Sequence, residues 1–507
     1  MIGARFALAD LAARYDIAVI GGGITGAGIL HEAARTGVSA LLVEQNDFAS
    51  GTSCSSSKLV HGGLRYLKDG QWRLTLESVR ERNHLLRTRA GLVERQPFLM
   101  PVYRGMKPGR AVMRLGLAAY DVMGGRWRSR SLSARHALQL EPGLRSEGLL
   151  GALAYDDART DDARLVLRLI MEATAAGAHA LNYMRVASVM RSASGVCGVA
   201  LRDSVTGATR EIGAGIVINA AGAWSDRLPG DPGGAPPLRP LRGSHLIFPL
   251  SRLPVNQAVS WLHVRDGRPV FVYPWDGVAL YGTTDVDHLD GDPGKSRMTP
   301  EEAEYLMEGL VHQFPQFGLT LGDATACYSG VRPVVAGGKA DPSAESRESA
   351  IWSSPGWVGI TGGKLTTFRV TARKVLSLAA QQQPRLAPLP GESVAPPAAS
   401  RMEARYGADG ARWLAQSLWA RDRERIAGSP YTWGELRWAA RRESVMRLDD
   451  LLLRRTRLGL LLPEGGAWMF DGIAAICRDE LGWSEARWVQ ERNRYLELWR
   501  RQHAVKP

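Results

Sequence analysis

The sequence lacks any run of apolar residues long enough to cross a bilayer, which takes about 18 residues. Its N-terminal stretch, MIGARFALADLAARYD, contains acidic residues and has no long apolar core. We therefore expect no secretory signal. If the protein contacts a membrane, we expect it to lie on the membrane surface.

Cysteine is also scarce. The four cysteines, Cys54, Cys197, Cys327 and Cys477, lie far apart and form no paired framework. This usage argues against a disulfide scaffold and suits a reducing compartment. Zinc-binding Cys/His spacings, RNA-binding signatures and a long basic tail are missing as well, so we predict no metal site and no nucleic-acid partner.

Basic residues are what the chain has in excess. It has 507 residues, 45% of them apolar and 23% charged, which is ordinary globular composition. At roughly 150 residues per domain, this length predicts two to four domains. The net charge of +13 and the pI near 9.8 favour an anionic partner. Composition alone does not choose between nucleic acid, anionic lipid and an anionic small substrate.

The clearest motif is a glycine-rich turn in YDIAVIGGGITGAGILHEAARTGVSALLVEQ. Gly21, Gly23 and Gly26 follow a short apolar strand, open a helix and precede a second strand that ends at Glu44. In this G-x-G-x-x-G spacing the three glycines permit a tight turn, close approach to a pyrophosphate, and helix–strand packing. Glu44 is placed to accept hydrogen bonds from an adenosine ribose and would repel a 2′-phosphate. The pattern favours dinucleotide binding over a βα turn without a ligand.

A second motif, SSSKLVHGGLRYLK from Ser55 to Lys68, follows the glycine unit. Together with DDARLVL, INAAGAWSD, GSHLIFP, YGTTDVD, YSGVRP, GGKLTTFR and DDLLLRRTRLGL, it resembles the FAD-dependent glycerol-3-phosphate dehydrogenases. These enzymes belong to a flavoprotein superfamily that also contains the D-amino-acid oxidases. The resemblance implies FAD as cofactor, sn-glycerol 3-phosphate as substrate and dihydroxyacetone phosphate as product. It also implies a membrane quinone, ubiquinone or menaquinone, as electron acceptor.

The substrate's phosphate needs cationic donors. Arginine suits this task because its planar guanidinium meets phosphate oxygens in pairs. Arg65 and Arg332, each inside a family motif, are the main candidates, and Lys364 and Tyr66 could add donors. Arg332 and Lys364 are also counted among the catalytic candidates. Thr284, in GTTD, is expected to line the same pocket.

The substrate's C2 hydroxyl must lose a proton, and histidine titrates near the working pH. His61 and His245 are the candidates. We expect His61 to lie beside the isoalloxazine and favour His245 for proton transfer. Two alternatives stay open for each: a histidine hydrogen-bonded in the core, or one that only shapes the flavin pocket.

Further residues are expected to hold FAD. Gly362, Gly363 and the amides after Lys364 should approach the pyrimidine end of the flavin. The first half of the serine loop should meet the pyrophosphate or ribityl chain. The predicted cofactor residues beyond the glycine turn, Glu44 and His61 are Ser56, Ser57, Lys58, Gly222, Gly362, Gly363, Leu365 and Thr366.

The predicted fold class is α/β: a Rossmann-like FAD-binding domain with an inserted antiparallel-sheet substrate domain and a C-terminal helical cap. The FAD-binding domain is expected to be discontinuous. The predicted boundaries are 1–100, 150–228 and 335–380 for the FAD-binding domain, 101–149 and 229–334 for the substrate-binding domain, 381–399 for a proline-rich linker, and 400–507 for the helical domain.

A basic segment, KPGRAVMRLGLAAYDVMGGRWRSRSLSAR, follows the first part of the FAD-binding domain. With Arg104 it has eight cations against one acid, Asp121, and its middle, 112–123, is apolar and helix-compatible. Such a helix can lie among lipid headgroups. The alternative is an internal helix with solvated basic ends. We expect a peripheral protein on the cytoplasmic face of the inner membrane, with a homodimer as a possible assembly.

Three other functions remain open. An oxidase would send electrons to oxygen. An enzyme of the wider superfamily could take an amino acid or another hydroxy acid, but the cations at Arg65, Arg332 and Lys364 count against it. A non-catalytic FAD-binding protein at the membrane surface is disfavoured because no motif histidine or arginine is missing.

Overall fold

The structure is a computed structural model. It describes residues 5–64, 67, 70–289, 291–340, 345, 348–387, 389, 391, 398–417 and 419–505. The strands, numbered in chain order, are β1 (Arg14–Ile20), β2 (Ala40–Val43), β3 (Leu59–Val60), β4 (Val93–Tyr103), β5 (Arg130–Ser133), β6 (Leu149–Thr160), β7 (His179–Leu181), β8 (Met184–Ser192), β9 (Gly195–Asp203), β10 (Thr209–Asn219), β11 (Leu238–Pro249), β12 (Ala258–Leu262), β13 (Pro269–Trp275), β14 (Val278–Gly282), β15 (Val286–Asp287), β16 (Ala326–Val335), β17 (Ser349–Ser354) and β18 (Trp357–Gly362).

The α-helices are numbered in the same way. They are α1 (Ile24–Ala34), α2 (Trp72–Thr88), α3 (Arg110–Gly124), α4 (Ala134–Leu140), α5 (Asp162–Ala175), α6 (Pro300–Gln313), α7 (Phe368–Ala380), α8 (Arg401–Gln416), α9 (Trp433–Arg442), α10 (Leu458–Leu461), α11 (Phe470–Leu481) and α12 (Glu485–Gln502).

The first sheet has the order β17-β18-β10-β1-β2-β7, with β8 and β9 added beside β10. Strand β1 pairs in parallel with β2 and β10, and β10 pairs in parallel with β18. The residues Ile17–Ile20 are buried on both faces, as expected for a parallel strand covered by other layers. Helix α1 packs against α5 and α7 over this sheet, where their apolar side chains form one core.

The second sheet has the order β15-β11-β14-β13-β12-β4-β6-β3 and is mostly antiparallel. Strand β16 pairs with β11, and β5 pairs with β6. Only the pairing of β12 with β4 is parallel among the described strands of this sheet. Along β13, PVFVYPW, the buried side chains of Val270 and Val272 are separated by the less buried Phe271. Both valines share a core with helix α6.

The C-terminal domain, residues 400–507, is helical in its described part. Between α9 and α10 it contains a short π-helical segment, Asp450–Arg455. Its helices share an apolar core with one end of the second sheet, in which Trp433, Leu452 and Tyr495 pack with Phe98 and Tyr273.

The predicted fold class is confirmed: a parallel sheet with helices, a largely antiparallel second sheet and a helical C-terminal domain. The domain boundaries stay a prediction, and strand pairing crosses them, because β3, β4 and β6 lie in the second sheet although most of their residues fall in the predicted FAD-binding domain. Across the described residues, no helix combines the length and apolar character that a membrane span requires.

Candidate active site

A large cavity lies at the carboxyl ends of the parallel strands. Gly21 follows β1, Glu44 follows β2, Gly222 follows β10 and Gly362 ends β18, and all four line this cavity. Its volume is about 1770 Å³, well above the roughly 300–1,000 Å³ of a usual small-molecule site. Residues of the second sheet form its opposite wall. In an open α/β sheet this edge is where ligands bind.

The glycine turn has the geometry that its spacing predicts. Gly21 has a φ of 111°, and a Cβ there would lie 2.5 Å from the carbonyl oxygen of Ala220. A Cβ on Gly26 would collide with the carbonyl oxygen of Gly21. Gly23 is the N-cap of α1 and lines the cavity together with Ile24. The turn therefore presents a helix N-terminus to the cavity, while Gly26 serves the packing behind it.

Glu44 lies at the cavity with its carboxylate already held by backbone. Its Oε2 accepts from the N–H of Gly22 at 2.7 Å and its Oε1 from the N–H of Asn46 at 2.8 Å. Burial raises the pKa of the Glu44 carboxyl, although these two N–H donors oppose the rise. Each carboxylate oxygen can accept a second hydrogen bond, so Glu44 keeps acceptors for a ribose hydroxyl.

In the serine loop, Ser55, Ser56 and Ser57 line the cavity but Lys58 does not. Lys58 is fully buried, and its Nζ lies 3.0 Å from Oδ1 of Asp162 and 2.9 Å from the carbonyl oxygen of Cys54. Burial lowers the pKa of its ammonium group, and Asp162 opposes this. The Lys58 side chain, on a backbone with a positive φ of 53°, thus contacts Asp162, and its expected contact with the cofactor stays a prediction.

The two candidate histidines occupy different depths. His61 lines the cavity, and its carbonyl oxygen accepts from the hydroxyl of Thr366 at 3.1 Å. Thr366 itself is buried and supports the His61 backbone through this hydrogen bond, and its expected cofactor contact stays a prediction. His245 is fully buried behind Ser57, with its Nε2 2.9 Å from the Ser57 hydroxyl.

His245 is held as a neutral imidazole. It stacks on Tyr328 with ring centroids 4.6 Å apart, and Gly282 leaves no room for a side chain beside it. Burial lowers the pKa of His245 well below its ordinary value, and the cations Arg332 and Lys58 lower it further. Neutral histidine can accept a proton, which is the form that a general base needs. Ser57, which lines the cavity, contacts the ring of His245, and proton transfer by His245 stays a prediction.

Two arginines share one buried carboxylate at the cavity wall. Arg332 donates from Nη1 to Oδ1 of Asp285 at 2.8 Å, and Nη2 of Arg268 lies 3.5 Å from Oδ2 of the same side chain. All three residues and Lys364 line the cavity. Three cationic side chains, Arg268, Arg332 and Lys364, therefore line this part of the cavity, whose lining also includes Asp266 and Glu348. This arrangement favours an anionic ligand.

Thr284 lies in a buried polar network, and its expected place in the substrate pocket stays a prediction. Its neighbours Thr283 and Asp285 line the cavity, whereas Thr284 points to the other side. Its hydroxyl donates to Oε1 of Glu302 at 2.6 Å and accepts from the N–H of Ser244 at 2.9 Å. Thr284 is thus part of a buried polar network of the second sheet. Arg65 and Tyr66 lie outside the described residues.

A family model for FAD-dependent oxidoreductases matches residues 16–373. The chain belongs to this family. A second model, for the C-terminal domain of alpha-glycerophosphate oxidase, matches residues 359–488 of this FAD-dependent oxidoreductase. The resemblance found in the motifs is thereby confirmed, and the cofactor is FAD.

Similar proteins and solved structures support the same family. The aerobic glycerol-3-phosphate dehydrogenase of Staphylococcus haemolyticus is 38% identical over 375 residues, 73% of this chain and 67% of that protein. The Bacillus subtilis protein of the same name is 36% identical over 370 residues, 72% of this chain and 66% of that protein. The matches thus span about two thirds of these relatives. A Bacillus halodurans glycerol-3-phosphate dehydrogenase complexed with FAD has a TM-score of 0.74 at 28% identity, covering 97% and 96% of the two chains.

A solved L-alpha-glycerophosphate oxidase from Mycoplasma pneumoniae, with FAD bound, has the same fold. Its TM-score is 0.59 at 19% identity, over 72% of this chain and 95% of that one.

The residues at the cavity fit FAD. The glycine turn forms a cradle that a Cβ on Gly21 would fill, and the helix N-terminus after it suits a pyrophosphate. Glu44 suits a ribose. Gly362 and Gly363 have φ values of 75° and 84°, so backbone without side chains borders the cavity beside Lys364. Gly222 and Leu365 line the same cavity.

Two residues at the site were missed in the sequence. Asp285 lies inside YGTTDVD, and the alternation of an extended chain would have placed it opposite Thr284. Arg268 lies in the turn RDGRP, which belongs to none of the motifs that carried the resemblance. Arg268 comes close to Asp285 through the pairing of β13 with β12 and β14, which the sequence around Arg268 does not indicate.

Proposed function

We propose that the protein oxidises sn-glycerol 3-phosphate to dihydroxyacetone phosphate and passes the electrons to a membrane quinone. The observation that carries this proposal is the cationic wall of Arg268, Arg332 and Lys364 on the same cavity as the glycine turn. When bound, FAD supplies the hydride acceptor. The chain's own residues anchor the phosphate, orient C2 and take the hydroxyl proton.

The phosphate is anchored by the guanidinium groups. Hydrogen bonds to charged groups contribute about 1.5–3 kcal/mol each, so two or three of them discriminate glycerol phosphate from glycerol. Asp285 orients Arg332 and Arg268 before the substrate arrives, because it already holds one nitrogen of each. A carboxylate substrate needs fewer cations than this wall supplies, which favours a phosphate ester over an amino acid.

The proton of the C2 hydroxyl passes to His245 through the hydroxyl of Ser57. This route is supported by the 2.9 Å contact between Ser57 Oγ and His245 Nε2. A bound phosphate dianion raises the pKa of His245, because its negative charge offsets the cations that lower it. The base therefore becomes stronger once substrate is present. His61, which lines the cavity directly, is the alternative base.

Helix α3 supports the part of the proposal that concerns electron transfer to a membrane quinone. Its apolar side chains Val112, Leu115 and Val122 are 62%, 73% and 72% exposed, and Val112 and Leu115 also line the cavity. Arg104, Lys107 and further cations precede and follow these residues in the sequence. Such a surface suits anionic headgroups. We therefore place the protein peripherally on the cytoplasmic face of the inner membrane, with ubiquinone or menaquinone reaching the cavity there. The homodimer stays a prediction.

The test is a product assay with purified protein in anionic vesicles. The proposal predicts dihydroxyacetone phosphate from sn-glycerol 3-phosphate, matched by reduction of a quinone analogue, and no turnover of glycerol. The second candidate is a glycerol-3-phosphate oxidase, which the match to an oxidase C-terminal domain favours. Stoichiometric hydrogen peroxide in air, with a slow quinone reaction, would support that candidate and contradict ours.

A further inference from the structure

A short arginine segment of the C-terminal domain contacts the back of the cofactor loops, and Arg405 of helix α8 also pairs with Asp161 there. Arg454 and Arg455 end the π-helical segment, and Arg457 follows two residues later. These side chains are buried and point away from the cavity, toward the loops that form its rim. We call Arg454–Arg457 the arginine segment.

Arg457 holds the acidic pair that begins helix α5. Its Nε donates to Oδ1 of Asp161 at 3.0 Å, and its Nη2 donates to Oδ1 of Asp162. A third donor, Nη1, faces the carbonyl oxygen of Cys54 at 3.4 Å. Arginine satisfies these directions at once because its donors form a fixed fork.

Asp162 passes this contact on to the serine loop. Its Oδ2 accepts from both the N–H and the hydroxyl of Ser56, at 3.0 and 2.6 Å. Its Oδ1 also accepts from Nζ of Lys58, whose backbone is left-handed. Ser55, Ser56 and Ser57 line the cavity directly on the other side. One buried carboxylate therefore fixes the loop from behind.

Arg454 and Arg455 hold the neighbouring loop in the same way. Nε of Arg454 and Nη1 of Arg455 donate to Oδ2 of Asp47 at 2.6 and 2.5 Å. Ala49 lies two residues after Asp47, and its N–H donates to the carbonyl oxygen of Gly22 in the glycine turn at 2.9 Å. The segment thus supports both loops that border the dinucleotide part of the cavity.

We infer that the arginine segment of the C-terminal domain consists of positioning residues for the cofactor loops, so that this domain determines how tightly FAD is held. Arg455 and Arg457 carry the effect, through Asp47 and Asp162. The inference needs FAD binding alone and stands whatever the substrate proves to be.

The test compares FAD release from the full-length holoenzyme and its variants. Arg457→Lys and Arg455→Lys keep the charge but lose the fork. Arg437→Lys is the control, because Arg437 is also a buried arginine of the C-terminal domain but pairs with Asp422 and Glu480. FAD release, measured by the recovery of flavin fluorescence on dilution, should be about tenfold faster in the two test variants and within about threefold in the control.

A measurement on the unaltered protein covers the case in which a variant fails to fold. Because coupling between two sites is reciprocal, removing FAD should speed amide hydrogen exchange in residues 450–457 relative to residues 470–481 of α11. Equal exchange with and without FAD, or folded Arg457→Lys that releases FAD at the rate of the control, would overturn the inference.

Discussion

The contribution of Arg268 to phosphate binding gives the sharpest prediction. In the described chain its Nε is buried without a hydrogen-bond partner, while Nη1 lies 3.3 Å from the carbonyl oxygen of Asp285. Because Arg268 lines the cavity, its guanidinium group can donate to a phosphate oxygen there. Replacing Arg268 by Gln removes one charged hydrogen bond, about 1.5–3 kcal/mol, which corresponds to about 10- to 150-fold in affinity.

The same substitution removes one of the two arginines that pair with Asp285 in the described residues, so the positive charge at this wall falls. We expect KM for sn-glycerol 3-phosphate to rise by that factor with a smaller change in kcat, because the anchor is used in the ground state as well. Arg268→Lys should recover part of the loss. The assay is steady-state kinetics with an artificial electron acceptor.

The matched control is Arg265→Gln. Arg265 lies in the same turn, pairs with Glu308 and does not line the cavity, so its loss should leave KM unchanged. If Arg268→Gln also kept the KM of the unaltered enzyme, the phosphate would not lie against this wall, and the assignment of the cationic site would be refuted.

Three further predictions follow from the site and its surroundings. His245→Asn should lower kcat about 10²- to 10⁴-fold and remove the acidic limb of its pH profile, as expected for loss of a general base; a larger loss in His61→Asn would assign the base to His61 instead. Burial lowers the pKa of His503 to about 4. Between about pH 6.5 and 4 the unfolded chain therefore binds a proton at His503 that the folded chain does not bind. Thermal stability should fall as the pH drops through that window, and it should fall less in His503→Asn. Replacing Arg104, Arg114 and Arg126 by Gln should weaken binding to anionic vesicles about 10²-fold, at about 1 kcal/mol per cation.

The membrane prediction has a control of equal charge change. Three exposed arginines of the C-terminal domain serve this purpose: Arg412, Arg478 and Arg500. Vesicle binding that drops as much in this triple variant would show a nonspecific charge effect rather than a docking face on α3.

The local part of the cofactor site could be predicted from the sequence. The order of apolar strand, three spaced glycines, helix and second strand ending in Glu44 depends on contacts within about thirty residues, and the structure has this unit at the cavity. Gly222 and Gly362 follow the same logic, because each lies at or just after the carboxyl end of a strand of the parallel sheet.

The direction of individual side chains could not be predicted. Lys58 is predicted to meet the pyrophosphate or ribityl chain, but its partner Asp162 is 104 residues away in sequence. Thr284 and Asp285 are neighbours that face opposite sides, and a motif alone does not say which faces the ligand. The support from Arg457 depends on the packing of a whole domain, for which local sequence carries no signal.

The central claim is that the cationic wall holds a phosphate ester with its C2 next to the oxidised flavin. It is tested most directly by mixing the yellow holoenzyme with sn-glycerol 3-phosphate without oxygen and following the flavin band near about 450 nm. We predict rapid bleaching with the phosphate ester and none with glycerol at the same concentration. A folded, FAD-loaded protein that stays yellow with sn-glycerol 3-phosphate would contradict the claim.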